Sequence, residues 1–234
     1  MNTMKRYHIA GLTVDMDVFG RTEQQAEAYR LDSNGPADIT FACDVRKVLE
    51  WNPHLTDPDA AMYMGSGAIF SQLLLDFDGT FLHSSAVVLE GKAYLFSADS
   101  GVGKSTHTEK WCRLFGATYL NDDKPALRLQ NGVWMAYGTP WSGKYDISTP
   151  RGVPLGGIAF LQRAQENRIC PMTSERAVTQ IMQQSMWRLG MNQMERQLAL
   201  VDKLVRQVPI WELYCRNDDD AARGSREAMA GNGK

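Results

Sequence analysis

The sequence predicts a mixed α/β fold in which mixed β-sheets surround one strand–loop–helix unit. Three observations favour this class. Short β-rich segments alternate with helical ones, a glycine loop joins an apolar strand to a helix, and another strand follows that helix at once. With 234 residues, 44% of them hydrophobic, the chain is long enough to bury a substantial core as one domain, or as one domain with an appendage.

The first 56 residues predict a β-rich N-terminal layer packed on the core. Tyr7 to Val14 and Ala37 to Cys43 are short, β-rich and bounded by turn residues, which predicts antiparallel strands. A helix is expected from Asp57 to Phe77, since Asp57 can cap it and Pro58 suits its first turn. Residues 57–228 are assigned to the main domain, which contains the glycine loop, and residues 229–234 to a disordered tail.

The middle of the chain predicts a hairpin that leads into the glycine loop. The expected strands are Thr80 to Leu89 and Ala93 to Phe96, with a turn at Glu90-Gly91. A helix from Thr106 to Leu114 follows, and Gly116 ends it. A helix of about three turns returns the chain to the far end of the sheet, so the strand at Ala117 to Leu120 should run parallel to the strand before the loop.

Turn chemistry and periodicity predict the remaining elements. Gln130-Asn131-Gly132 is typical of a hairpin, and Gly157 to Leu161 of a buried strand. Two helices are expected between Glu175 and Val205, with a break near Gly190. A strand at Ile210 to Cys215 and a helix from Asp219 or Asp220 complete the fold.

Composition argues against several classes of function. The formal charge of −2 and the pI near 6.1 give no attraction to nucleic acid or anionic membranes. The four cysteines are far apart and lack metal-ligand spacing, which predicts reduced thiols. No apolar run approaches the ~18 to 20 residues that span a bilayer. We therefore expect a cytoplasmic protein with neither nucleic acid nor membrane as a partner.

The glycine loop has the residue order of a phosphate loop (P-loop). Gly101 and Gly103 allow backbone N–H groups to converge on phosphate oxygens, Lys104 can reach the terminal phosphates, and the Ser105 hydroxyl can bind magnesium. The sequence therefore predicts a nucleoside triphosphate and Mg²⁺ as ligands. Ala98 stands where the consensus has glycine, so either the loop turns differently or this position needs no left-handed backbone. The expected nucleotide-binding residues are Asp99, Ser100, Gly101, Val102, Gly103, Lys104, Ser105 and Thr106.

Asp122 and Asp123 should lie beside this loop, because they follow the returning strand. Two such carboxylates can divide the work of phosphoryl transfer, since one positions magnesium and the other accepts the proton of an attacking hydroxyl. In isolation, the same residues are also typical of an ordinary solvated turn.

Three segments together resemble the catalytic domain of HPr serine kinases. They are Leu82-His83-Ser84-Ser85, the loop at residues 99–105 and the Asp122-Asp123 pair; residues 140–144 and 154–163 look like weaker related segments. The resemblance covers about a third of the chain and implies a fold related to ATP-type phosphoenolpyruvate carboxykinases. It also implies self-association, since HPr kinases form oligomers.

The resemblance implies a role for each matching residue. Lys104 would bind the nucleotide phosphates and Ser105 the magnesium ion, while Asp122 accepts the proton and Asp123 lies on the metal side, although the two aspartates could exchange roles. His83 matches the active-site histidine and would contact the transferring phosphate or the acceptor. Lys144 and Arg163 are further candidate phosphate contacts. Ala98 and Thr106 depart from the family pattern, as does the lack of a recognisable segment for engaging the HPr protein.

Three functions are compatible with these motifs. The first is an ATP- and Mg²⁺-dependent kinase that phosphorylates a hydroxyl, such as a serine of a peptide or protein. The second is a regulator that binds nucleotide with little or no turnover. The third is a phosphatase that uses Asp76 and Asp78, which stand in a DxDGT context after an apolar run. A helix-to-strand turn explains Asp76 and Asp78 better than a phosphatase, since a second phosphate site follows within about twenty residues.

Overall fold

The structure is a computed structural model that describes residues 4–185 and 190–231, and it has the mixed α/β architecture expected from the sequence. In these residues the strands are β1 (Lys5–Ile9), β2 (Leu12–Asp17), β3 (Ile39–Ala42), β4 (Gly79–Phe81), β5 (Ser84–Leu89), β6 (Lys92–Ser97), β7 (Thr118–Asn121), β8 (Ala126–Gln130), β9 (Val133–Tyr137), β10 (Gly152–Arg163), β11 (Arg168–Pro171) and β12 (Ile210–Cys215). The helices are α1 (Gly20–Ala26), α2 (Val45–Trp51), α3 (Pro58–Leu74), α4 (Lys104–Phe115), α5 (Ser174–Ser185), α6 (Met191–Gln207) and α7 (Asp219–Ala230).

The N-terminal strands form a separate sheet in the order β1-β2-β3. The segment expected as one strand from Tyr7 to Val14 is two antiparallel strands, β1 and β2, with a turn at Ala10-Gly11. The expected antiparallel pairing with the second segment is wrong, because β3 runs parallel to β2. The reason is the long connection that carries α1 between β2 and β3, since such a crossover returns the chain in the same direction. One apolar cluster joins this sheet to Phe70 of α3 and to Trp141, so it crosses the expected boundary at residue 56.

A larger mixed sheet forms the centre of the molecule, and β10 is its longest strand. The first residues of β10 pair antiparallel with β9, whereas its later residues lie between β6 and β12 and run parallel to both. On the other side of β6 come β5 and then β7. Helices α4 and α7 pack on one face of this region, and α5 and α6 on the other. The sheet is therefore buried on both faces around the end of β6.

The expected strand from Thr80 to Leu89 is two strands. It is interrupted at Leu82-His83. Strand β4, before the interruption, pairs with β8, whereas β5, after it, pairs with β6 and β7. The backbone N–H groups of Leu82 and His83 leave the ladder and donate to Pro125 and Gln184. The interruption therefore places His83 beside the segment that follows β7.

Local signals place most other elements as predicted. Helix α3 begins at Pro58 with the Asp57 side chain as its cap, and α4 ends at Gly116, which has a left-handed backbone. Strand β7 is antiparallel to β5, which is antiparallel to β6, so β7 runs parallel to β6 as expected but is not its neighbour. The turn at Asn131-Gly132 joins β8 to β9, and both residues have positive φ.

The C-terminal region has both expected helices and the expected final strand, together with β11, which was not predicted. Asp218 caps α7 by accepting a hydrogen bond from the Ala221 N–H. Helix α7 continues through Ala230, two residues into the segment assigned to the tail, because Met229 packs on the cluster that contains Trp111. Residues 232–234 of that segment lie outside the described residues.

None of the helices in the described ranges combines the length and the apolar character needed to cross a membrane. The four cysteines are free; Cys215 is buried and the other three are half-buried, so only Cys215 belongs to the core.

Candidate functional site

The glycine loop, residues 98–103, connects the end of β6 to the first residue of α4. Gly101 and Gly103 have φ values of +77° and +124°, in the range that favours glycine. Ala98 is not among the described residues with positive φ, and it is 5% exposed. The alanine therefore costs the loop no backbone strain, because this position does not need a left-handed conformation.

Gly103 also meets a steric requirement. A Cβ atom built on it would overlap the side-chain amide of Asn217, whereas a Cβ at Gly101 would meet nothing within 4 Å. Asn217 follows β12, so the loop after β12 packs against the last residue before α4. Glycine is thus needed at position 103 for space as well as for its dihedral angles.

Lys104 folds back over the glycine loop. Its Nζ donates a hydrogen bond to the carbonyl oxygen of Ala98 at 2.7 Å. Burial lowers the pKa of Lys104, while the charges of Asp123 and Asp99 act in the opposite direction. Ser105 is half-buried and Thr106 is exposed. The lysine ammonium is therefore bonded to the glycine loop and is also attracted by the negative charge of Asp123.

An Asn side chain fixes the Asp122-Asp123 pair at the end of β7. Asn121 Oδ1 accepts hydrogen bonds from the N–H groups of Asp123 and Lys124 at 2.9 and 2.7 Å, a local turn in which the side chain replaces a backbone acceptor. Asn121 Nδ2 donates to the Thr139 carbonyl at 2.9 Å, which ties the turn to the neighbouring loop. The two aspartates then face different partners.

Asp122 faces a loop at residues 142–146. Its two carboxylate oxygens accept the N–H groups of Gly143 at 2.5 Å and Tyr145 at 3.3 Å, and the residue is 8% exposed. Burial raises the pKa of Asp122; the two N–H groups oppose that rise, and the negative charge of Asp123 adds to it. Asp122 is therefore the more basic carboxylate of the pair.

Asp123 lies at the centre of a cluster of donors. His83 Nε2 is 3.3 Å from its Oδ1, the Tyr63 hydroxyl donates to its Oδ2 at 2.8 Å, and the Lys124 ammonium also bonds to Oδ2. Burial raises the pKa of Asp123, but the hydrogen bond from His83 and the charge of Lys124 outweigh it and hold that pKa well below its usual range. Asp123 is therefore ionised throughout the physiological range.

A chain of hydrogen bonds connects the Asp pair to the glycine loop. His83 Nδ1 is 3.0 Å from Gln184 Oε1, and Gln184 Nε2 donates to Asp99 Oδ1 at 3.3 Å. The network runs from Asp99 through Gln184 and His83 to Asp123. It brings together three of the segments that the sequence singles out and adds Gln184, which sequence reasoning missed.

The N-terminal layer reaches the same site through α1. Arg21 bonds to the Gly143 carbonyl and to Asp146 Oδ1, the latter at 2.6 Å, and Gln25 Nε2 donates to Ser142 Oγ at 2.8 Å. The 142–146 loop that holds Asp122 is thus held in turn by α1. No sequence motif marks Arg21, Gln25 or Tyr63, since they lie 60 or more residues from their partners.

The other candidate residues lie in distinct settings. Arg163 Nη2 donates to the Gly101 carbonyl at 2.5 Å, so it bonds to the glycine loop itself. Lys144 is exposed, with its ammonium 4.6 Å from the centroid of the Tyr145 ring. Asp76 pairs with Arg196, and Asp78 has a left-handed backbone in the turn between α3 and β4. The last two have the geometry expected of a helix-to-strand turn.

These features define a mixed α/β protein with a polar cluster beside a glycine loop at one edge of its central sheet. The chain belongs to the family described as SynChlorMet cassette protein ScmC, which matches residues 43–217. A search of curated proteins finds no match. The solved HPr(Ser) kinase/phosphatase from Coxiella burnetii is similar over 64% of this chain and 99% of that chain, with 12% identity and a TM-score of 0.38. This likeness is too distant to transfer residue roles.

Proposed function

We propose that this protein is an ATP- and Mg²⁺-dependent kinase that transfers the γ-phosphoryl group to a hydroxyl, such as a serine of a peptide or protein. The observation that carries the proposal is the Asp99–Gln184–His83–Asp123 network, which connects a loop of phosphate-binding composition to a pair of acidic residues. Phosphoryl transfer requires these two kinds of group side by side, because catalysis rests on positioning and on charge neutralisation.

On this proposal, the glycine loop binds the phosphates through residues 99–106. The backbone N–H groups at the start of α4 would face the phosphate oxygens, where a helix N-terminus favours negative charge. When nucleotide binds, Lys104 would give up its hydrogen bond to the Ala98 carbonyl and donate to the terminal phosphates instead, since its ammonium already lies at the loop. Its burial strengthens the interaction by excluding water.

The two aspartates would have different tasks. Asp122, whose pKa is raised by burial, is suited to accept the proton of the attacking hydroxyl. Asp123 stays ionised, so it is suited to the metal side of the site. His83 is 39% exposed and contacts Asp123, which leaves part of its ring accessible to the phosphate or the acceptor.

Ser105 and Asp123 are the residues that would hold magnesium. Their hydroxyl and carboxylate oxygens are hard donors of the kind that Mg²⁺ prefers. Within the described ranges, no cluster of three or more His, Cys, Asp or Glu side chains is placed to hold a metal ion. A small number of protein ligands is sufficient for an ion that arrives with a nucleotide, because phosphates and water complete its coordination. When bound, the ion would neutralise phosphate charge.

Transfer of labelled phosphate from ATP to proteins of a cell extract tests this function. We expect labelled acceptor with the unchanged protein and none with Lys104→Met or Asp122→Asn, while circular dichroism spectra stay the same. Lys92→Met is the matched control, since Lys92 is exposed on β6. Full transfer by the Asp122→Asn protein would exclude Asp122 as the proton acceptor.

The setting of Asp122 favours a regulator that binds nucleotide without transfer. Two backbone N–H groups of the 142–146 loop donate to its carboxylate, and these bonds stabilise the charged form and make Asp122 a weaker base. The same labelled ATP distinguishes the two functions. Tight binding with no labelled acceptor and no hydrolysis would favour the regulator.

A further inference from the structure

A groove opens beside the glycine loop, on the side away from the Asp pair. It has a volume of about 700 Å³ and is lined by Val102 of the loop, by residues 163–165 at the end of β10 and by residues 215–217 at the end of β12. Sites for small molecules have volumes in this range. We propose that this groove binds the nucleobase and ribose of the nucleotide whose phosphates lie on the glycine loop, an inference that rests on the proposed function.

Sheet topology supports this assignment. Strands β6, β10 and β12 are adjacent and parallel, so their carboxyl ends meet at one edge, which is where open α/β sheets bind ligands. Strands β5 and β7 lie on the opposite side of β6, and Asp122 and Asp123 follow β7. A nucleotide that crosses the glycine loop therefore has its terminal phosphate near the Asp pair and its base over the ends of β10 and β12.

Two guanidinium groups stand at the walls of the groove. Arg163 is bonded to the Gly101 carbonyl, and Arg216 pairs with Asp218 at 2.9 Å while its side chain is 54% exposed. A guanidinium plane held by such bonds keeps one face free to stack on an aromatic ring. Every nucleobase offers such a π-face, so the arrangement suits a base better than a further phosphate.

Asn217 connects the groove to the glycine loop. Its backbone is left-handed, with φ of 63°, and its amide lies against Gly103. The side-chain oxygen of Asn217 is buried and accepts no hydrogen bond from the described residues. Asn217 packs the end of β12 against the glycine loop, so a ligand in the groove lies next to the loop that would hold its phosphates.

Calorimetric titration with two ligands tests the proposal. ATP carries phosphates and a base, whereas inorganic tripolyphosphate carries phosphates alone, so their difference in affinity measures the base site. We expect the unchanged protein to bind Mg-ATP more tightly than Mg-tripolyphosphate. Arg216→Met should weaken ATP roughly tenfold through loss of the stacking cation and leave tripolyphosphate unaffected. Arg151→Met is the matched control, since Arg151 is exposed and bonds to Thr118 instead.

A second variant keeps the test independent of Arg216, which lies close to the cap of α7. Ala164→Tyr fills the groove from the strand end of β10, and it should also weaken ATP without weakening tripolyphosphate. Equal affinity of the unchanged protein for the two ligands would overturn the base site while leaving phosphate binding intact. Equal loss of both ligands in both variants would also overturn it. Binding of neither ligand would overturn the proposed function as well.

Discussion

The buried histidine of α4 should make the fold less stable in mild acid. His107 is fully buried, with its ring centroid 4.7 Å from that of Phe96 and its Nε2 2.9 Å from Ser225 Oγ of α7. Its Nδ1 has no hydrogen-bond partner within the described residues. Burial lowers the pKa of His107 to about 4, and the charge of Lys110 adds to this effect. The folded protein therefore holds the ring in its neutral form.

The sign and the size of the effect follow from the two states. In the unfolded chain the ring titrates near 6.5, so on acidification the unfolded state binds the proton first. The free energy of unfolding therefore falls. The contribution is fully present above pH 6.5 and is lost as the pH falls toward 4. The gap of about 2.5 pH units is worth about 3 kcal/mol, and most of it is lost by pH 4.5.

Urea unfolding at pH 7.5 and pH 4.5 measures this loss. His107→Gln removes the titrating group but keeps an amide that can reach Ser225, and its packing cost cancels when the two pH values are compared. We expect the unchanged protein to lose about 2 to 3 kcal/mol more than the His107→Gln variant. His8→Gln, at an exposed histidine of β1, should behave like the unchanged protein. Equal losses in all three proteins would refute a neutral, buried His107.

Three further substitutions test the glycine loop and the apolar cluster that joins the N-terminal sheet to α3. Gly103→Ala should weaken ATP binding in calorimetry and destabilise the fold by about 1 to 3 kcal/mol, since it combines an unfavourable φ with overlap of the Asn217 amide. Gly101→Ala, which has open space around it, should cost less. Trp141→Ala should lower the free energy of unfolding in urea by about 3 to 5 kcal/mol, because the ring is fully buried and stacks on Phe70 at 4.9 Å.

Elements with a local chemical signal could be predicted from the sequence. Asp57-Pro58 starts α3, Gly116 ends α4 and Asn131-Gly132 turns a hairpin, because each of these residues determines the backbone within a few positions of itself. Their effect does not depend on which strand lies next to them. The glycine loop belongs to the same class, since its residues and its flanking elements are contiguous.

Features that depend on distant partners could not be predicted. The parallel pairing of β2 with β3 and the interruption at His83 depend on which segments become neighbours, and periodicity does not contain that information. The same holds for the candidate site. The hydrogen bonds of Tyr63 to Asp123, of Gln184 to His83 and of Arg21 to Gly143 span 60, 101 and 122 residues, so only the folded chain brings these groups together.

Helix α1 bonds to the 142–146 loop, so two different parts of the chain support the two sides of the proposed site. The nucleotide side is built from β6, β10 and β12, whereas the aspartate side is supported by Arg21 and Gln25 of the N-terminal layer. On the proposed function, substitutions at Arg21 or Gln25 would alter transfer to the acceptor and leave the affinity for nucleotide unchanged.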